Sequence, residues 1–290
     1  MPRTAGNGTP AAGPPAGAAA REGGAVRLTQ PAPDAGREPR PLLAPQARPV
    51  AVAVTAACAA VIAVLGVWFG HQSRPGSLDR AAFDWLFSHR EVHRSVLVFL
   101  AWLGTPIPVI IAVSALTLAC LARRRWRGAV LAAVSVAVAS GLTELVLKPL
   151  VGRIYDGFLS FPSGRATGAF SVAAVCAVLL FGPGRRHRRT AGRLFLVILA
   201  VAVACAVAAA AVILRYHYLT DTLGGAAVGT GTVLATALII DRLSPRLRQR
   251  LTARQGARRS APDRTAPPAS LALRSPSAPA RPDRRGAGQG

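Results

Sequence analysis

Six long apolar runs constrain this chain more than any other feature. They fall at about 49–70, 95–122, 128–147, 164–183, 194–214 and 222–241. Roughly 20 apolar residues in a helix cross a hydrocarbon core ~30 Å thick. In lipid each backbone N–H and C=O must be bonded within its own segment, so a helix is the reading for every run. Gly, Ala and Ser are frequent in the runs, which suits close helix packing in a membrane. The expected fold class is therefore all-α: a six-helix transmembrane bundle with disordered N- and C-terminal tails. Residues 1–48 are rich in Ala, Pro, Gly and Arg, and such a segment buries too little surface to fold. The first apolar run starts too late and is too long for a cleaved secretory signal. The expected division is a disordered tail at 1–48, a six-span membrane domain at 49–242 and a disordered basic tail at 243–290.

Charge orients the bundle. The chain carries 35 Lys and Arg against 12 Asp and Glu, a formal charge of +23. Such a balance suits a nucleic-acid binder, but here the arginines sit in tails and short loops beside the spans, so no nucleic-acid partner is expected. The dense basic loops Arg123–Arg127 and Gly184–Arg193 belong on the cytoplasmic side by the positive-inside bias. Both termini then lie in the cytoplasm, and the basic C-terminal tail can also touch anionic headgroups. The four cysteines, Cys58, Cys120, Cys176 and Cys205, each lie inside an apolar run and form no CxxC or Cys/His pair. They read as small buried hydrophobes, and no zinc site is expected.

The remaining loops, 71–94, 148–163 and 215–221, face outward on this reading. In the first, the spacing of Leu78, Ala82, Trp85 and Leu86 suits an amphipathic helix lying on the surface. His89 and His93 are four apart there, but no third ligand is near, and a solvated face is preferred to a metal site. The second loop begins with Lys148, the one lysine in the chain. It continues through Arg153 to Phe161-Pro162-Ser163-Gly164-Arg165, where Ser163 is a natural N-cap for the fourth run. A helix start offers free N–H groups and a positive dipole end, which suits a phosphate. Lys148, Arg153 and Arg165 add charge, unless Lys148 and Arg153 simply snorkel to the headgroups. In the third loop His217 and Asp221 are four apart, one helical face if the turn is helical, with Arg215 beside them. A carboxylate on one imidazole nitrogen fixes the tautomer and frees the other nitrogen as base or nucleophile. A purely structural His–Asp bond is the other reading of the same pair.

Over about residues 50–242 the chain resembles the type 2 phosphatidic acid phosphatases, the lipid phosphate phosphatases related to vanadium haloperoxidases. Their signature is a lysine followed by an Arg-Pro pair, then Pro-Ser-Gly-His, then Ser-Arg with a histidine and an aspartate four later. Lys148, Arg153, the run Pro162–Gly164, His217 and Asp221 match it. Tyr155 and Asp156 stand at the Arg-Pro positions, Arg165 at the second-motif histidine, and Ala210 and Ala211 at the Ser-Arg pair, with Arg215 as a substitute cation. The resemblance implies a six-helix bundle whose outward-facing site cleaves lipid phosphates without metal or other cofactor. It implies that His217 attacks phosphorus and that Asp221 orients it. Lys148, Arg153, Arg215 and the N–H groups around Ser163 and Gly164 hold the phosphoryl oxygens.

Arg165 changes that expectation. The family histidine there protonates the leaving alkoxide, whereas arginine stays charged and is a poor donor. A diphosphate leaves as a stable anion and needs the proton less, so polyprenyl or diacylglycerol diphosphates are the preferred substrates. The alternative is an inactive relative that binds lipid phosphate or serves as a membrane partner or transporter.

Overall fold

The computed structural model describes residues 41–88, 93–183 and 190–259. It is all-helical apart from one small hairpin. The first span is α1 (Ala47–Phe69), followed by a short surface helix, α2 (Ser77–Ser88). The second span is broken into α3 (Arg94–Leu103) and α4 (Pro106–Ala122), which meet at 53°. Gly104 ends α3 and Pro106 opens α4, and a proline has no N–H to continue the ladder. A Cβ at Gly104 would stand 2.9 Å from Arg165 Cβ, so only glycine lets the break approach the fourth span this closely.

The third span, residues 126–151, consists of α5 (Trp126–Gly141), a π-helical stretch at Leu142–Leu147 and α6 (Lys148–Val151). It stops at Gly152, whose φ of 61° is the left-handed C-cap. A two-stranded hairpin follows, β1 (Ile154–Tyr155) against β2 (Phe158–Leu159). Asp156 and Gly157 have φ of 48° and 80°, the I′ turn that an Asp-Gly pair favours. The family's Arg-Pro positions are therefore a strand end and a turn. The last three spans are α7 (Gly164–Phe181), α8 (Thr190–Ile213) and the start of α9 (Leu219–Arg259), whose apolar part ends at Leu243.

Helices α7 and α9 touch along a glycine seam. A Cβ at Gly225 would lie 2.4 Å from the Ser163 carbonyl, and one at Gly229 2.5 Å from that of Thr167. Small residues four apart let two backbones meet in lipid. Alternating direction brings the end of α1, the hairpin, the start of α7 and the 214–218 turn to one end of the bundle. The Arg123–Arg125 turn between α4 and α5 lies at the other.

Four details go beyond the expectations. Part of the N-terminal tail is fastened: the N–H groups of Leu42 and Leu43 donate to Asp241 at 2.8 and 2.9 Å, and both leucines are buried. The Asp241 carboxylate, itself buried, also pairs with Arg127. At the other end the apolar part of α9 ends at Leu243, as expected, and the helix continues to Arg259. On α2 the packed face is Asp79, Ala82, Phe83 and Leu86, while Leu78 and Trp85 stand outward. Among the cysteines Cys120 is buried, Cys58 and Cys176 are half-buried, Cys58 lying against Gly231 of α9, and Cys205 is exposed.

Candidate active site

The site rests on a buried ionic cluster. Arg153 follows the Gly152 cap and is fully buried, its guanidinium sandwiched between Phe69 and Tyr218 at 4.2 and 4.4 Å from the ring centroids. One terminal nitrogen donates to Asp221 Oδ1 at 2.7 Å and to Thr220 Oγ1 at 2.6 Å. The other donates to Asp79 Oδ2 at 2.7 Å. The Thr220 hydroxyl and N–H both reach Asp79 in turn, at 2.9 and 3.0 Å. Buried charges are tolerated only when paired and bonded in this way. The cluster ties α2, the 152–160 loop and α9 together and fixes where Asp221 points.

Asp221 Oδ2 accepts from the Tyr218 N–H at 3.1 Å and faces His217 Nδ1 at 3.9 Å, beyond hydrogen-bond reach. His217 Nδ1 has no other partner and is buried. Its pKa is pushed down to about 4, chiefly by burial and then by the charges of Arg165 and Lys148. A hydrogen bond to the Ser160 backbone opposes the shift without reversing it, so the imidazole is neutral near pH 7, with Nδ1 toward the Asp221 carboxylate.

In front of His217 lies a cavity of about 880 Å³, enclosed by α4, the third span and α7. Lys148, Glu144, Gly164, Arg165 and His217 line its polar end. Val109, Ile110, Val113 and Leu118 form an apolar wall along α4, with Ile110 and Leu118 exposed. Ser163 caps α7: its Oγ accepts from the Ala166 N–H at 3.4 Å, and its carbonyl accepts from Thr167. The first-turn N–H groups of Gly164 and Arg165 have no helical partner and sit at the polar end.

The structure thus places Lys148, Gly164, Arg165 and His217 around one cavity, with Ser163 and Asp221 directly behind. Arg153, expected among the phosphate ligands, does not line the cavity, and both its terminal nitrogens are engaged by Asp79, Thr220 and Asp221. The Ser163 N–H is likewise taken by the Asp221 carbonyl at 2.9 Å. Arg215 is exposed, with its guanidinium 5.9 Å from the Phe83 ring, and does not line the cavity. Among the described residues no three His, Cys, Asp or Glu side chains cluster as a metal site, and His89 lies outside them.

Two residues of the site escaped the sequence reading. Asp79 is 142 positions from Asp221, so nothing local ties them. Glu144 sits inside an apolar run, four before Lys148, and its Oε2 is 2.7 Å from Lys148 Nζ. A lone carboxylate in a span, one turn from a lone lysine, was a signal in itself.

Six apolar spans, the second of them broken, and a cavity with a cationic mouth define a multi-pass membrane protein with an intramembrane site. The family model described as PAP2 superfamily matches residues 49–245, and the chain belongs to that superfamily as a multi-pass membrane protein. The fold is similar to the crystal structure of a transmembrane PAP2 type phosphatidylglycerolphosphate phosphatase from Bacillus subtilis. The TM-score is 0.51 and the identity 19%, over 66% of this chain and 96% of that one. Among curated protein sequences none matches this chain.

Proposed function

We propose that the protein hydrolyses lipid phosphates, preferentially lipid diphosphates, through a phosphohistidine on His217. The observation that carries this reading is a neutral, buried imidazole, backed by Asp221, at the cationic end of a lipid-sized apolar cavity. His217 Nε2 attacks phosphorus. Lys148, Arg165 and the N–H groups of Gly164 and Arg165 hold the phosphoryl oxygens as charge develops. Asp221 stabilises the imidazolium that forms, and the 3.9 Å gap closes to a hydrogen bond once substrate is bound. Arg153 holds Asp221 in place. Arg165 binds the leaving phosphate of a diphosphate, which accounts for the preference.

The cavity's polar end faces outward and both termini lie in the cytoplasm. The Arg123–Arg125 turn at the opposite end of the bundle supports that orientation. Release of phosphate from a panel of lipid mono- and diphosphates, with His217→Ala as control, tests the proposal. Faster release from phosphatidic acid than from a matched diphosphate contradicts the preference. One observation favours a binding-only protein: Lys148 is already paired by Glu144 inside the cavity. That reading predicts lipid phosphate binding with the same background release from wild type, His217→Ala and Arg165→His.

A further inference from the structure

We infer that Glu144 is the proton donor to the leaving oxygen, the role that Arg165 cannot fill. This inference rests on the phosphohistidine reading above. It starts from the order of cavity-lining residues along the third span: Ala133, Ala137, Ser140, Glu144 and Lys148, running from the apolar interior to the polar end. Lys148 and His217 mark where the phosphoryl group sits, and the alanines mark where the lipid lies. The ester oxygen joining the two passes Glu144, one turn inward of Lys148.

The carboxyl group is built into this position. The π-helical stretch Leu142–Leu147 carries it, and such bulges recur at functional sites. Thr143 on the same stretch meets Thr167 of α7 at 3.1 Å, which holds the stretch against the helix that bears Arg165. Gly164 makes room for it: a Cβ there would lie 2.6 Å from Glu144 Oε1. The side chain is half-exposed to the cavity, unlike the sealed carboxylates of Asp79 and Asp221.

The charged groups around Glu144 are Lys148 and Arg165, and His217 faces the same cavity as a neutral ring. An arriving phosphate engages the lysine ammonium in place of Glu144, and the released carboxyl group, carrying its proton, faces the ester oxygen. His217 Nε2 then forms a bond to phosphorus while the P–O bond to the lipid breaks. The departing oxygen takes the bond's electron pair and the proton from Glu144. The products are a lipid alcohol, a phosphohistidine and a Glu144 carboxylate. Water next attacks phosphorus and gives its proton to Glu144, and the P–N electron pair returns to the imidazole. Phosphate leaves and the acid is restored.

The test compares two substrates with the purified full chain in lipid nanodiscs, reading the first turnover. Phosphatidic acid leaves as an alkoxide and needs the proton, whereas para-nitrophenyl phosphate leaves as a stable phenolate. Glu144→Gln is expected to slow the first by about 10²–10⁴-fold, and the second by at least about tenfold less. Glu144→Asp, which keeps a carboxyl group, restores part of the phosphatidic acid rate. Equal losses on the two substrates, or no loss on phosphatidic acid, overturn the assignment. If both variants aggregate, the wild type alone decides through a series of alkyl and aryl phosphates. A shallow dependence on leaving-group basicity supports a donor at Glu144, and a steep one removes it. If His217→Ala is silent while Glu144→Gln matches wild type, this inference alone fails. If His217→Ala matches wild type, the phosphohistidine reading fails first.

Discussion

On the proposed reading His217 carries the chemistry, and three surroundings act on its ring: burial, two nearby cations and a carboxylate behind it. Its pKa of about 4, against 6.5 for an ordinary histidine, sets the sign of two pH effects. The acid limb of kcat/KM, which reports the free protein, is expected near pH 4 and not near 6.5. Between those values the unfolded chain binds more protons at this residue than the folded one, so its contribution to stability falls as pH drops through that window. Lys148→Met removes a cation and is expected to move the acid limb upward while lowering the rate, which a pH–rate profile reads directly. An unmoved limb places Lys148 away from the imidazole. Lys148, Arg165, Ser163, His217 and Asp221 were legible in the sequence because each lies in a short polar stretch between apolar runs. Glu144 carried a signal too, a carboxylate inside a span one turn before the lysine, but it lies within an apolar run and outside the polar loops that drew attention. Arg153 was legible as a residue but not in its place, because its partner Asp79 comes from a helix 74 positions earlier.

The helices position these side chains by close approach and by ionic locking, and each can be broken separately. The spans and the surface helix α2 were visible in hydropathy and spacing. The bend at Gly104–Pro106 and the π-helical stretch were hidden because both lie within continuous apolar runs. The hairpin was missed although its Asp156-Gly157 turn is a strong local signal, since only two residues pair on each side. Gly225→Val forces α9 away from the Ser163 carbonyl, and overpacking of this kind costs about 1–3 kcal/mol. The expected outcome is a lower thermal midpoint in detergent together with lost activity, because the same shift moves Asp221. Asp79→Asn leaves Arg153 with one carboxylate in place of two. Breaking a buried ion pair costs about 3–5 kcal/mol. A thermal midpoint unchanged from wild type argues against the lock.

For the whole molecule, the placement of two distant loops at one end of the bundle decides whether there is a site at all. Orientation is the further expectation at this scale. A single cysteine replacing Asp156 in a cysteine-free background should react with a membrane-impermeant maleimide in intact cells, and one replacing Arg124 only after lysis. The reverse pattern turns the bundle over. The tails were legible only as polar segments, because the Asp241 contacts to Leu42 and Leu43 join chain ends that no local pattern connects. The most direct test of the account is covalent. Lipid substrate labelled with ³²P at the scissile phosphoryl group is mixed with the protein, quenched in base and digested. The account predicts an acid-labile, base-stable label on the peptide containing His217, lost in His217→Ala. Label on another residue, or turnover with no covalent label under conditions that trap it, contradicts the account.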